Sequence, residues 1–185
     1  MMILKITKFF LVLCMGAWWQ YSYADIGKSL SLNELIERAN YIVYAKCDKV
    51  ESFWRNNKVF TGYGFSLIDS IKNDVQYINI ETIGGTALHP LLKTKISTNV
   101  PGSVNFKLSD KVILFLNKNE ENGQLNVVGG SQGVFRVKVD EKGNKSVVTF
   151  VKKAKLDIKN SKAELLHESI KLDEFILKIK KIINN

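Results

Sequence analysis

The stretch from Lys111 to Val139, KVILFLNKNEENGQLNVVGGSQGVFRVKV, constrains the fold of this chain more than any other. It contains three short runs rich in apolar and β-branched residues, separated by turns rich in Asn, Gly, Ser and Glu. Short β-prone runs between such turns are typical of antiparallel strands joined by hairpins. We therefore predict a meander of strands over Lys111–Asn117, Gln124–Val128 and Val134–Val139 within a mainly β domain.

Further β-prone segments lie on both sides of this stretch. The predicted upstream strands are Tyr41–Val50, Lys58–Lys72, Val75–Ile83, Thr94–Asn99 and Ser103–Lys107, and Ser146–Val151 is predicted downstream. In the third of these, Ile78 and Ile80 alternate with polar residues and are expected to face the core. Gly84–Lys95 contains Gly-Gly and His-Pro pairs, which favour a surface loop. The pattern predicts an antiparallel β-barrel, or a strongly curved meander, of about six to eight strands.

A helix is predicted at each end of the β region. Ser31 and Glu34 have the spacing of a capping box, in which two side chains satisfy the first backbone N–H groups of a short helix. Ser161 and Glu164 repeat this spacing, and apolar residues then recur at helical intervals to the chain end. We expect a long amphipathic helix over residues 161–185 that packs on the barrel, since a bare apolar sheet face needs a cover. Its basic residues leave one alternative open, in which this helix lies on an anionic membrane surface.

The N-terminal segment has the composition of a secretory signal peptide. Two lysines precede an apolar run over Phe9–Trp19, and Ser22 and Ala24 are the small residues of a cleavage site. The run is shorter than the ~20 residues that span a bilayer, which favours cleavage over a retained anchor. We predict a signal peptide over residues 1–24, a barrel domain over residues 25–160 and no transmembrane segment in the mature chain. The mature protein is expected in the periplasm or in the extracellular medium.

The mature chain is moderately basic. Removal of the signal peptide takes two of the 27 basic residues and none of the 18 acidic ones, so 27 − 2 = 25 basic residues and a net charge of 25 − 18 = +7 are left. A positive charge favours weak association with anionic surfaces such as the cell envelope. The lysines are spread along the chain instead of forming a basic block, so no nucleic-acid partner is expected.

Cys47 is the only cysteine that is left after cleavage, so no disulfide can form within the mature chain. Period-2 alternation places it on the same strand face as Tyr41, Val43 and Ala45. A free cysteine on an apolar face usually behaves as a small buried hydrophobic residue, and we predict burial of Cys47. The alternatives are an intermolecular disulfide and a nucleophile that pairs with one of the two histidines.

No constellation of residues in the sequence specifies a reaction. Neither His89 nor His167 has a second histidine or a cysteine close to it, as a zinc site would need. Gly129–Gly133 lies between two predicted strands, where it suits a tight turn or bulge better than a nucleophile elbow or a phosphate loop. We expect no catalytic residue, no metal and no cofactor. The competing class is a hydrolase whose site combines His89 with scattered carboxylates, namely Asp69, Asp74 and Glu81.

Aromatic and basic residues cluster around the first two predicted strands. Aromatic side chains interleaved with basic ones on a barrel face can stack on bases or sugars, although core packing is their commoner role. The surface that we expect to bind a partner comprises Phe53, Trp54, Arg55, Tyr63, Gly84, Gly85 and His89.

Several segments of the chain carry a family resemblance. They are LNELIERANYIVYAKC (Leu32–Cys47), Thr61–Ile71 followed by VQYINIETIGG (Val75–Gly85), LSDKVILFL (Leu108–Leu116) and VVGGSQGVFRV (Val127–Val137). Together they resemble a family of small exported bacterial proteins of uncharacterised function. More distantly, the order of helix and strands resembles the oligonucleotide/oligosaccharide-binding (OB) barrel of netrin-like domains and tissue inhibitors of metalloproteinases. This resemblance implies a closed five- or six-stranded barrel with flanking helices, but not the inhibitors' mechanism, because their N-terminal cysteine and disulfides are missing here.

The expected function is that of an exported, non-enzymatic binding module. Barrels of the OB type bind ligands on an exposed strand face and in the loops at their ends. The expected partner is another exported protein, with proteases as one class to consider. Two alternatives stay open, namely a peripheral envelope protein held by the basic C-terminal helix and a hydrolase with an unrecognised site.

Overall fold

The computed structural model describes residues 29–150 and 167–185. In this part of the chain, two helices flank ten strands. The helices are α1 (Leu32–Arg38) and α2 (Leu172–Ile183). The strands are β1 (Tyr41–Arg55), β2 (Lys58–Lys72), β3 (Ile78–Ile83), β4 (Gly85–Leu88), β5 (Lys95–Thr98), β6 (Lys111–Lys118), β7 (Leu125–Val127), β8 (Val134–Val139), β9 (Lys145–Phe150) and β10 (His167–Lys171).

Five of the strands close into a barrel. β1, β2 and β3 pair in sequence as antiparallel neighbours, and β6 pairs with both β7 and β1 in the same antiparallel sense. The ring closes through a short parallel contact between Ile80 of β3 and Leu125 of β7. Numbered along the chain, the barrel strands therefore stand in the order 1-2-3-5-4. The predicted mainly β barrel is confirmed.

The chain leaves the barrel along one edge of β6. Both β7 and β8 pair antiparallel with β6, so they run in the same direction, and β8 continues into a side sheet with β9 and β10. The link between them is a single 3-10 turn over Gly130–Gly133, entered through Gly129 with φ 64° and Gly130 with φ 60°. The predicted meander is thus corrected: these left-handed glycines shift the chain sideways without reversing it.

The barrel interior is filled with apolar side chains. The buried set is Val43, Ala45, Cys47, Tyr63, Ile78, Ile80, Val104, Phe106, Val112, Leu114, Leu116 and Leu125. Its isoleucines confirm the predicted facing of the third strand. Val104 and Phe106 belong to a segment that we predicted as a strand, Ser103–Lys107, but that is irregular in the structure. The alternation of apolar and polar residues in this segment arises because Val104 and Phe106 are both buried in the barrel interior. The rings of Tyr63 and Phe65 lie edge-on to the Phe106 ring, each with 5.0 Å between centroids.

A second apolar cluster covers one outer side of the barrel. Ile42 and Phe115 point outward from β1 and β6 into a layer built by the two helices and by Val147 of β9. From α2, Leu172, Phe175 and Ile179 are buried in this layer. The amphipathic helix therefore packs its apolar stripe on the protein, and burial of each large side chain stabilises the fold by about 1.5–3 kcal/mol.

The C-terminal helix is shorter than predicted. It has 12 residues, from Leu172 to Ile183. His167–Lys171 instead forms β10, which pairs with β9 from His167 opposite Phe150 to Lys171 opposite Ser146. Hydrogen bonding to the edge of β9 outweighs the local helical spacing of these residues. The predicted start at Ser161 lies outside the described residues, as does the predicted signal peptide.

The first helix begins as predicted. The Ser31 hydroxyl accepts from the backbone N–H of Glu34 at 3.2 Å, and the Ser31 N–H donates to the Glu34 carboxylate at 2.8 Å. The other end is held by Lys72 of β2, whose Nζ donates to the carbonyl oxygens of Ile36 at 2.8 Å and Ala39 at 2.7 Å. A cation is favourable at this negative end of the helix dipole, so Lys72 ties α1 to the barrel.

Candidate functional site

A part of the barrel surface that the helices do not line carries an open groove, which we call the glycine groove. It has a volume of about 570 Å³ and crosses the outer face of β1, β2 and β3. Its outward-facing residues are Lys49, Glu51, Phe53, Gly62, Gly64, Tyr77, Asn79, Glu81 and Gln124. The volume lies in the range of ligand sites, and the loop between β6 and β7 closes one end through Gln124.

A β-bulge in β1 turns the walls of the groove outward. Cys47 pairs with Phe65 and Lys49 pairs with Gly64, so β1 contains one more residue here than β2. An extra residue exchanges the inner and outer faces of a strand. Cys47 therefore faces the barrel interior, whereas Lys49, and Glu51 and Phe53 after it, face the groove.

The floor of the groove consists of two glycines in the middle of β2. Gly62 pairs with Glu51 on one side and Glu81 on the other, so a side chain at position 62 would stand between these two. Its backbone does not require glycine, because its φ is not positive. Space does not require it either, since an added Cβ would meet its nearest neighbour, Phe53 Cε1, at 3.6 Å. Glycine inside a strand destabilises the fold by roughly 0.5–1 kcal/mol relative to alanine, so neither sterics nor stability explains Gly62.

The charges along the groove are paired. Lys49 Nζ lies 2.9 Å from Glu51 Oε2, and one guanidinium nitrogen of Arg55 lies 2.8 Å from each carboxylate oxygen of Glu81. The Lys49 hydrogen bond and charge hold the pKa of Glu51 below its usual value. Arg55 also stacks on Phe60, with 4.2 Å between the guanidinium carbon and the ring centroid. The groove thus presents two ion pairs with no net charge beside aromatic surface.

The predicted binding surface is divided by the structure. Phe53 forms a groove wall, and Arg55 lies beside it. Tyr63 is buried inside the barrel, because it alternates with the outward Gly62 and Gly64, and it therefore leaves the predicted surface. Trp54 and His89 lie at the barrel end, where their rings meet edge-on at 4.6 Å.

Gly84 and Gly85 allow the backbone conformation that joins β3 to β4. Their φ angles are 109° and 123°, values that L side chains rarely adopt. The Gly84 carbonyl accepts from the Thr61 hydroxyl at 2.7 Å, and an added Cβ on Gly85 would overlap that hydroxyl and lie 2.7 Å from Ser52 Oγ. Gly84 is buried, so these two glycines shape a crowded turn and are removed from the predicted surface.

Sequence reasoning missed most of the groove. Glu51, Tyr77, Asn79 and Gln124 were not among the predicted surface residues, although Tyr77 is 79% exposed. The available signal was the Gly-x-Gly spacing of Gly62 and Gly64. Two glycines at positions i and i+2 of one strand lie on the same face, so they leave a gap there instead of a bend.

The residues named for a hydrolase are not brought together. The Glu81 carboxylate is bound by Arg55. The residue of β2 that pairs with Glu81 is Gly62, and six residues of β2 separate Gly62 from Asp69. His89 packs against Trp54, and its Nδ1 accepts from two backbone N–H groups. Cys47 is buried as predicted, and burial, followed by the charge of Asp110, raises the pKa of its thiol.

Two further observations concern the described residues only. Within residues 29–150 and 167–185, no three His, Cys, Asp or Glu side chains come together as metal ligands. Neither α1 nor α2 is long and apolar enough to cross a bilayer. No family model, curated protein or solved structure matches this chain.

Proposed function

We propose that this protein is an exported, non-enzymatic binding module that holds its partner in the glycine groove. The observation that carries the proposal is Gly62. A strand-interior glycine that neither the backbone nor the surroundings require keeps the middle of the groove open, at a cost in stability. Such a glycine marks a place where a ligand or another backbone approaches closely.

The barrel is of the OB type in this proposal. Five barrel strands in the order 1-2-3-5-4, with antiparallel pairing except for the short β3–β7 contact, support that assignment. Barrels of this type bind along the outer face of strands 2 and 3, between the loops that join strands 1 and 2 and strands 4 and 5. The glycine groove occupies this face, and Gly123 and Gln124 come from the second of these loops.

The partner is another exported protein that offers a short, uncharged loop. The paired charges of the groove give no net attraction to a polyanion, so a nucleic acid is disfavoured. Asn79 and Gln124 carry amides that can both donate to and accept from a peptide backbone. Phe53 and Tyr77 supply aromatic surface, which is enriched in protein interfaces. Proteases are the first class of partner to screen, because their loops and clefts are exposed.

The test is affinity capture from the envelope and medium of the exporting cell, followed by mass spectrometry. The wild-type protein should retain one stoichiometric partner at moderate salt. Gly62→Leu should lose it, because the side chain fills the groove, whereas Gly62→Ala should keep most of it. Tyr77→Ser removes an exposed ring and should weaken capture without changing the melting temperature. A Gly62→Leu protein that is folded and captures the same partner at full yield would overturn the proposal.

A further inference from the structure

We propose that the tip of the β4–β5 hairpin, residues 88–95, docks on an anionic lipid bilayer. This tip is separate from the glycine groove, and the proposal does not depend on the proposed function. It combines protruding leucines, a turn that is fixed by its own hydrogen bonds and a local excess of positive charge.

The tip exposes large apolar side chains at its apex. Leu91 is 85% exposed, Leu92 64% and Leu88 56%. Leu91 has the highest exposure among the large hydrophobic residues of the described chain. Residues 88–92 at the hairpin tip thus contain three exposed leucines, which form a small apolar surface. Such a surface costs solubility unless it is buried against something.

The backbone of the tip is prearranged. The His89 N–H donates to the Thr94 carbonyl at 2.8 Å, and the Lys93 N–H donates to the His89 carbonyl at 3.0 Å. His89 Nδ1 accepts from the N–H groups of Leu91 at 3.2 Å and Leu92 at 3.1 Å. Because these bonds satisfy the amides of both leucines, the apex can enter an interfacial region without leaving those N–H groups unpaired.

The charge around the tip is positive. Lys93 and Lys95 follow the leucines in the sequence, and no aspartate or glutamate occurs between Glu81 and Asp110. The Trp54 ring contacts His89, so the neighbouring β1–β2 turn lies at the same end, followed by Lys58 as the first residue of β2. Long lysine side chains can keep their ammonium groups at the headgroup level while apolar atoms beside them enter the bilayer.

A bilayer suits this tip better than a folded partner. A stable protein interface buries about 800 Å² on each side, and three leucines at the end of a hairpin offer less. The other basic apolar element, α2, has its stripe of Leu172, Phe175 and Ile179 buried in the protein. Its one strongly exposed leucine, Leu177, is 67% exposed and belongs to a helix face that also carries lysines.

The test is vesicle flotation of the protein, purified as an exporting host yields it. Phosphatidylcholine vesicles with phosphatidylglycerol should bind the wild type, pure phosphatidylcholine should bind it weakly, and added salt should release it. The double variant Leu91→Asp/Leu92→Asp should lower the partition coefficient at least about ten-fold. Lys93→Gln and Lys95→Gln should each lower it about five-fold. All of these side chains are exposed, so thermal melts of the variants should match the wild type.

Leu177→Asp is the matched control, since it makes the same change at a leucine as exposed as Leu92. It should leave the partition coefficient within about two-fold of the wild type. Three results would overturn the proposal: no binding of the wild type to anionic vesicles, full binding of the double variant, or an equal loss in Leu177→Asp. The Gly62→Leu variant should bind vesicles normally, which separates this test from that of the groove.

Discussion

The covered side and the groove side of the barrel both direct apolar side chains into the barrel interior, but the residues on their outer faces differ. On the covered side, Val112–Leu116 of β6 is completely buried, with alternate residues in the barrel and under the helices. On the groove side, the outer face of β2 carries glycine at positions 62 and 64. The comparison shows that β6, which lies under the helices, carries apolar side chains on both faces. The part of β2 that the helices do not cover has glycines on its outer face instead.

The largest effect is expected on the covered side, at Phe115. This ring is completely buried and packs against Phe135 with 5.3 Å between centroids, and Phe135 in turn meets Phe175 of α2 at 4.9 Å. Phe115→Ala should lower the free energy of unfolding by about 3–5 kcal/mol, because it leaves a cavity between barrel and helix. Urea unfolding followed by circular dichroism measures it. A loss below about 1 kcal/mol would mean that the helices do not cover this side in solution.

The next effect separates the two kinds of glycine. Gly85→Ala should lower the free energy of unfolding by about 2–4 kcal/mol, because alanine is strained at a φ of 123° and its Cβ would overlap the Thr61 hydroxyl. The same urea titration applies. Adding Thr61→Ala removes one of the two obstructing hydroxyls, so Gly85→Ala should cost less in the Thr61→Ala background than in the wild type. An equal cost in both backgrounds would place it in the backbone angle and in the contact with Ser52 Oγ.

A smaller loss is expected where α1 is tied to the barrel. Lys72→Met keeps the aliphatic stem but removes the two hydrogen bonds to Ile36 and Ala39, and should cost about 1–2 kcal/mol. Lys72→Arg should retain most of the stability if its guanidinium reaches the same carbonyls. Hydrogen exchange of the α1 amides should accelerate in the Met variant. Unchanged exchange would contradict this role for Lys72.

The smallest effect is expected at the floor of the groove. Gly62→Ala should raise the free energy of unfolding by about 0.5–1 kcal/mol, since alanine loses less backbone entropy on folding and its Cβ meets no clash. Thermal melts of both proteins decide this. A loss above about 1 kcal/mol would show that Gly62 is needed by the fold, and would remove the main support for the proposed binding groove.

Local signals in the sequence predicted the individual elements well. The second strand was predicted at Lys58–Lys72 and has these bounds, and Ser31 and Glu34 form the predicted capping box. Asn56 and Asn57, which lie between β1 and β2, have φ angles of 50° and 59°, and asparagine is one of the residues that tolerates this conformation in turns. Each of these features depends on neighbours within a few residues, which is why the sequence alone reveals it.

The site could not be predicted in the same way, because its geometry depends on contacts between distant residues. Simple alternation from Cys47 places Phe53 on the inner face of β1, and only the bulge at Asp48, visible in the pairing with Phe65 and Gly64, turns it outward. The same bulge turns Trp54 to the other face of β1, where its ring meets His89 at the barrel end. Likewise, β10 forms because β9 offers it an edge, which the local helical spacing does not reveal.

The pairing of β1 with β6 also dictates when the chain can fold. Tyr41 pairs with Leu116 and Lys46 with Lys111, so this pairing joins segments more than sixty residues apart. Seams between such distant segments make folding slow, because the entropy of closing the loop is lost before the contacts form. A chain that emerges from its N-terminus cannot complete this barrel until β6 and then β7, which ends at Val127, have appeared. The edge of β1 that pairs with β6 therefore stays without its partner until residues 111–116 have been made.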